Sequence, residues 1–127
     1  MALQFSIQPA SAHDYCGFER WLSVAQTWSG YDELCITADS TGTADEVVVQ
    51  FGEASGEVWK SWTPVSALGA GEYCLPLSTS TFSWADWSVQ QNGRIDLGAI
   101  DYYGIYVHGA QGAQGVLYVE QLRVVER

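Results

Sequence analysis

Apolar residues in this chain recur at every second position within short runs, and no stretch sustains the three-and-four spacing of an amphipathic helix. The nearest approach to a helical stripe, residues 12–25, is interrupted by Gly17. Residues 46–51 (E-V-V-V-Q-F) form the strongest strand signal, being rich in β-branched side chains. Further strands are predicted at 33–38, ending in the turn D-S-T-G-T, and at 57–62 after a hairpin-like loop over 52–56. Others follow at 72–77, 103–108 and 116–125. Residues 78–93 read as a Ser/Thr/Trp-rich connection, and 109–115 as a Gly/Ala/Gln loop. Seven or eight short strands at this spacing predict an all-β fold: a two-sheet antiparallel β-sandwich, or jelly roll, in one domain over residues 1–127.

Alternation also assigns faces, because successive side chains of a strand point to opposite sides. Val47, Val49 and Phe51 then point inward while Val48 and Gln50 point outward. Ile105 and Val107 belong to the core, which turns Tyr106 and His108 away from it. Leu117, Val119, Leu122 and Val124 can share the core only with a bulge near Gln121. If Phe18, Leu22 and Val24 are core, Trp21 lies on the outer face. Large rings thus fall where alternation says surface.

With 6 Trp and 7 Tyr the aromatic load is heavy. Packing accounts for about half of it on burial habit, with Trp28, Tyr73 and one of Trp84 and Trp87 as the structural rings. The remainder are costly on a surface unless a partner covers them. Sugars suit such rings: the axial C–H face of a β-linked glucose is flat and apolar, and its edge carries hydroxyls for nearby amides and carboxylates. Each stacked ring contributes ~1 kcal/mol beyond area burial. Several rings with a few hydrogen bonds reach affinities on the order of micromolar, about −8 kcal/mol. Gln50, Gln111 and Gln114 offer paired donors and acceptors, or are simply solvated. His108 either stacks on a sugar or sits at a strand end.

The charge balance narrows the partners. Five basic against 15 acidic residues leave −10, which disfavours nucleic acid and anionic membranes and leaves neutral ligands. No run of about 18 apolar residues offers a membrane-spanning helix. The N-terminal M-A-L-Q-F lacks a basic start and long apolar run, so the chain is expected to be a module excised from a longer exported protein. Cys16, Cys35 and Cys74 are odd in number and lack a C-x-x-C pair. Cys35 and Cys74 lie in apolar stretches and are expected to be buried free thiols, one disulfide being the alternative.

Several segments carry a resemblance: W-S-G-Y-D-E-L at 28–34, P-L-S at 76–78 with Phe82, I-D-L-G-A-I at 95–100, the strand at 103–109, and G-V-L-Y-V-E-Q-L at 115–122. In this order they resemble the β-jelly-roll carbohydrate-binding modules of the family 11, 30, 44 and 65 type, attached to bacterial plant-cell-wall glycoside hydrolases. The resemblance covers residues 15–125. It implies a secreted, extracellular, monomeric and non-catalytic module whose concave sheet holds single β-glucan chains (mixed-linkage glucan, xyloglucan or soluble cellulose) and targets a parent enzyme to the wall. Trp21, Trp59, Trp62, Tyr106, His108, Gln111 and Gln114 best fit the implied ligand contacts, with Gln50 added from the outward face. Trp59 and Trp62 have opposite parity, so both reach a cleft only across a bulge or strand end. Many relatives hold a structural calcium on N-terminal acids and an acidic pair in the last strand. Here that pair is Glu120-Gln121, one acid lengthened and one lost, so no cofactor is expected.

Catalysis is not expected. His13 and His108 are the only histidines, and no G-x-S-x-G, H-E-x-x-H or phosphate-loop motif occurs. Asp86 with Asp101 is an imaginable glycosidase pair, but alternation does not assign either to a face. The rival to glucan binding is an adhesion or protein-interaction sandwich that uses the same rings as a hot spot.

Overall fold

Nine strands and one short 3-10 turn make up the residues described by the computed structural model, namely 2–6, 15–89, 92–109 and 113–127. In chain order the strands are β1 (Ala2–Ser6), β2 (Tyr15–Gln26), β3 (Glu33–Gly42), β4 (Glu46–Glu53), β5 (Val58–Pro64), β6 (Tyr73–Pro76), β7 (Ser83–Trp84), β8 (Ile100–His108) and β9 (Gln114–Val125). They form two antiparallel sheets, ordered β1-β9-β3-β6 and β2-β8-β4-β5-β7. This is the expected two-sheet sandwich, with neighbours in space often distant in sequence.

The core lies between the sheets. Val47, Val49 and Phe51 of β4 and Ile105 and Val107 of β8 meet Leu34, Ile36 and Ala38 of β3, Leu75 of β6 and Leu117 of β9, all buried. The parity read from sequence therefore holds on β4 and β8. It holds on β9 too, because Thr37 faces Gln121 while Ala38 faces Val119. The extra residue there is the bulge that lets Leu117, Val119, Leu122 and Val124 all pack inward.

Three expectations are corrected. Residues 39–42 are strand rather than turn, since β9 offers partners as far as Gly42, opposite Gly115. The segment nearest to a helical pattern is the edge strand β2. Within it Trp21 faces Tyr102 and Gln26 faces Ile100, so β2 gains residues against β8. That irregularity breaks the alternation and leaves Val24 exposed at 77%, while Phe18 still packs on the core.

Cys35 and Cys74, expected as free thiols, are bonded to each other. They stand directly opposite on β3 and β6 with Cα atoms 4.0 Å apart, a proximity decided by strand register and invisible in the linear sequence. Arg127 covers the bond, its Nη2 lying 3.3 Å from the Cys74 sulfur. Arg123 pairs with Glu72 through two hydrogen bonds of 2.6 and 2.8 Å on the same sheet.

Candidate functional site

The outer face of the five-stranded sheet is a lattice of four rows crossing β2, β8, β4 and β5. Register fixes the rows: Trp21–Tyr102–Gly52–Val58, then Glu19–Gly104–Gln50–Lys60, then Gly17–Tyr106–Val48–Trp62, and last Tyr15–His108–Glu46–Pro64. Rings fill the first, third and fourth rows, and polar groups fill the second. From Trp21 to Tyr15 the face runs roughly 20 Å along the strands, at about 3.4 Å per residue.

At one end the Trp21 indole stacks on Tyr102, with ring centres 4.3 Å apart and planes 18° from parallel. Trp21 is 63% exposed, and its Nε1 donates to Glu19 at 2.7 Å, which fixes the ring's orientation. At the other end Trp62 meets His108 edge-on at 5.0 Å and Tyr15 at 5.9 Å. The Lys60 ammonium lies 5.4 Å over the Trp62 ring, and His108 Nδ1 lies 3.8 Å from Glu46. Between the ends, Tyr15, Glu19, Val48, Gln50, Lys60, Trp87 and Tyr106 line a cavity of ≈ 360 Å³.

Gln50 ties the centre together. Its Nε2 donates to the hydroxyls of Tyr102 at 3.0 Å and Tyr106 at 3.4 Å. The Tyr106 hydroxyl is also hydrogen-bonded to Glu19. Burial pushes the Tyr102 phenol up to about 12, with the charges of Glu19 and Asp101 adding to it and the Gln50 bond opposing. Burial raises Tyr106 further, helped by the negative charge of Glu19. Both phenols therefore stay neutral at physiological pH and keep their hydrogens within this network.

Of the expected site residues, Trp21, Gln50, Trp62, Tyr106 and His108 are gathered on this face. Trp59 is not. It lies opposite Phe51, 1% exposed, and its Nε1 donates to the buried Glu53 carboxylate at 2.6 Å. No bulge interrupts β5, so the parity conflict with Trp62 is resolved by burying Trp59. Gln114 belongs to β9 in the opposite sheet, where its backbone bonds to Thr43. Gln111 lies outside the described residues. Trp28 is a core ring, Tyr73 and Trp84 pack against the core, and Trp87 is the exposed member of its pair.

Tyr15, Glu19, Lys60 and Tyr102 belong to the face and were missed. A signal for Tyr102 existed, since it shares the parity of Tyr106 and His108. Tyr15 and Glu19 share the parity of Trp21, and Lys60 that of Trp62; that these strands lie side by side came only from the pairing.

The pair that stands where the resemblance implied calcium ligands lies away from this face. Glu120 and Gln121 are exposed on the opposite sheet. Among the described residues the one group of three potential ligands within 4.8 Å is Glu33, Cys35 and Cys74, and its cysteines are bonded to each other.

No family model and no curated protein matches the sequence. Solved structures do match. A family 11 carbohydrate-binding module from Clostridium thermocellum, in complex with a β-1,3-1,4-mixed-linked tetrasaccharide, superposes with a TM-score of 0.72 at 19% identity over 98% of this chain and 74% of that one. The family 11 module of the cellulosomal cellulase Lic26A-Cel5E of the same organism gives 0.68 at 18% identity, covering 99% and 74%. An agarase gives 0.62 at 15% identity, covering 91% of this chain and 19% of its own. The likeness is one of fold: this chain is built as those β-jelly-roll modules are.

Proposed function

We propose that this chain, built on the fold of the family 11 modules, is a non-catalytic carbohydrate-binding module that holds a single β-glucan chain on the outer face of its five-stranded sheet. The observation that carries this reading is the row lattice: solvent-facing rings at both ends of a ~20 Å groove with a polar row between them. Trp21 and Trp62 cover the apolar faces of sugar units, while Glu19, Gln50 and the Tyr106 phenol meet the hydroxyl edges. Mixed-linkage glucan is the first ligand to try because one fold neighbour holds such an oligosaccharide; xyloglucan and soluble cellulose follow.

The non-catalytic reading is supported by spacing. Glu19 and Glu46, the two carboxylates on these rows, are two rows and two strands apart, roughly 16 Å by sheet geometry. Glycoside hydrolysis places its carboxyls about 5–10 Å apart. An extracellular setting is supported by the Cys35–Cys74 disulfide, since such bonds persist in oxidising compartments. In that setting the module serves to hold an appended plant-cell-wall enzyme on its substrate.

Affinity electrophoresis in gels containing mixed-linkage β-glucan, xyloglucan, xylan or agarose tests the proposal. Retardation by mixed-linkage glucan, with no reducing ends released, is expected. Unretarded migration in all four gels refutes glycan binding, and a concentration-dependent oligomer on size exclusion would instead assign the rings to a protein interface.

A further inference from the structure

Side chains of a sheet normally stand off its surface, yet the two central rings of this face lie down on it. The space they occupy is left by glycines. A Cβ built on Gly52 would meet Tyr102 Cε1 at 2.1 Å and Cδ1 at 2.4 Å. One built on Gly104 would meet the Tyr106 hydroxyl oxygen at 2.5 Å and Cε2 at 2.8 Å. Gly17, across from Tyr106 on β2, would also meet the ring, but its first clash is with the Ile105 carbonyl oxygen at 2.2 Å. Gly17 is therefore required by the backbone as well, whereas the three nearest atoms to a Cβ at Gly52 or at Gly104 all belong to a tyrosine side chain. Neither carries a positive φ, so no backbone preference demands glycine there.

We propose that Gly52 and Gly104 set the depth of the binding groove: they let Tyr106 lie flat as its floor and Tyr102 lie flat beneath the stacked Trp21. They are positioning residues, without a side chain to touch a ligand. The inference rests on the glycan-binding reading for its functional consequence but not for its geometry. Ordinary carbon contact needs about 3.5 Å, so an added methyl lifts either ring by an ångström or more. Lifting Tyr102 pulls its hydroxyl from Gln50, 3.0 Å away, and drives the ring into the stacked Trp21. Lifting Tyr106 pushes it into the cavity it now floors and breaks its bonds to Gln50 and Glu19. Because Gln50 donates to both hydroxyls, either change disturbs both rings.

Gly52→Ala and Gly104→Ala, each in the whole chain, test this with two readouts. In affinity gels with mixed-linkage β-glucan, both variants are expected to bind at least tenfold more weakly than the parent. In a spectrophotometric tyrosine titration, the latest-titrating phenols, Tyr102 at about 12 among them, are expected to move toward ordinary values as the rings reach water. A parent that binds glucan with variants within twofold of it overturns the inference. A parent that binds no glycan overturns the functional reading alone, and the inference then stands or falls on the titration, an unchanged curve refuting it. Should Gly52→Ala fail to fold, Gly52→Ala with Tyr102→Ala is expected to fold because the crowding ring is gone; a double variant that stays unfolded overturns the ring as the clashing partner.

Discussion

Replacing Trp59 by phenylalanine separates the two roles that tryptophan plays on one strand. Trp59 and Trp62 are three residues apart on β5, yet one is 1% and the other 38% exposed. The phenylalanine keeps a ring beside Phe51 and removes the indole N–H from Glu53, 2.6 Å away. That carboxylate is buried, and its other described donor is the Asp96 amide at 3.2 Å. A hydrogen bond to a charged acceptor contributes ~1.5–3 kcal/mol. The smaller ring gives up about two carbons' worth of burial, at ~0.8 kcal/mol each. The sum is roughly 3–5 kcal/mol, a fall in Tm of roughly 10–20 °C for a chain of this length. Burial holds the Glu53 acid above its ordinary 4.5, so lowering the pH neutralises it and shrinks the penalty for losing its donor. Melts followed by near-ultraviolet circular dichroism at pH 7.5 and pH 4.5 measure both effects, and glucan affinity well below the melt should stay within twofold of the parent. Lost affinity with an unchanged Tm would refute the placement of Trp59 in the core.

Trp62→Ala and Trp21→Ala should give the reverse pattern, about tenfold weaker glucan binding each with Tm changed by a few degrees, read by affinity electrophoresis and melting of the same samples. For the parent, Glu53 contributes stability that is full below its unfolded pKa and is lost as pH rises through its elevated folded one, so Tm should climb from pH 7.5 toward 5; Glu53→Gln should flatten that rise relative to the parent. Reducing Cys35–Cys74, which closes a 39-residue separation, should cost about 4 kcal/mol by chain entropy, visible as a lower urea midpoint with dithiothreitol, and Cys35→Ser should make the midpoint insensitive to reductant.

The alternation along β4, β8 and β9 was legible because period two is a local property: Val47, Val49, Phe51, Ile105 and Val107 each declare their side from their neighbours in sequence. The need for a bulge near Gln121 was legible for the same reason, since four apolar residues had to share one face. So were the fold class and the outward direction of Tyr106, His108 and Gln50. Which strands lie side by side was not. That Tyr15, Gly17, Glu19 and Trp21 flank β8, that Gly52 sits under Tyr102, and that Cys35 meets Cys74 are facts of pairing between segments tens of residues apart. Strand periodicity is written in consecutive residues, so a two-sheet β protein with rings on a surface is already declared by local pattern. Which rings share a groove, how deep it is and that Trp59 lies under it depend on non-local register and on the room left by glycines, which are set when the sheets assemble.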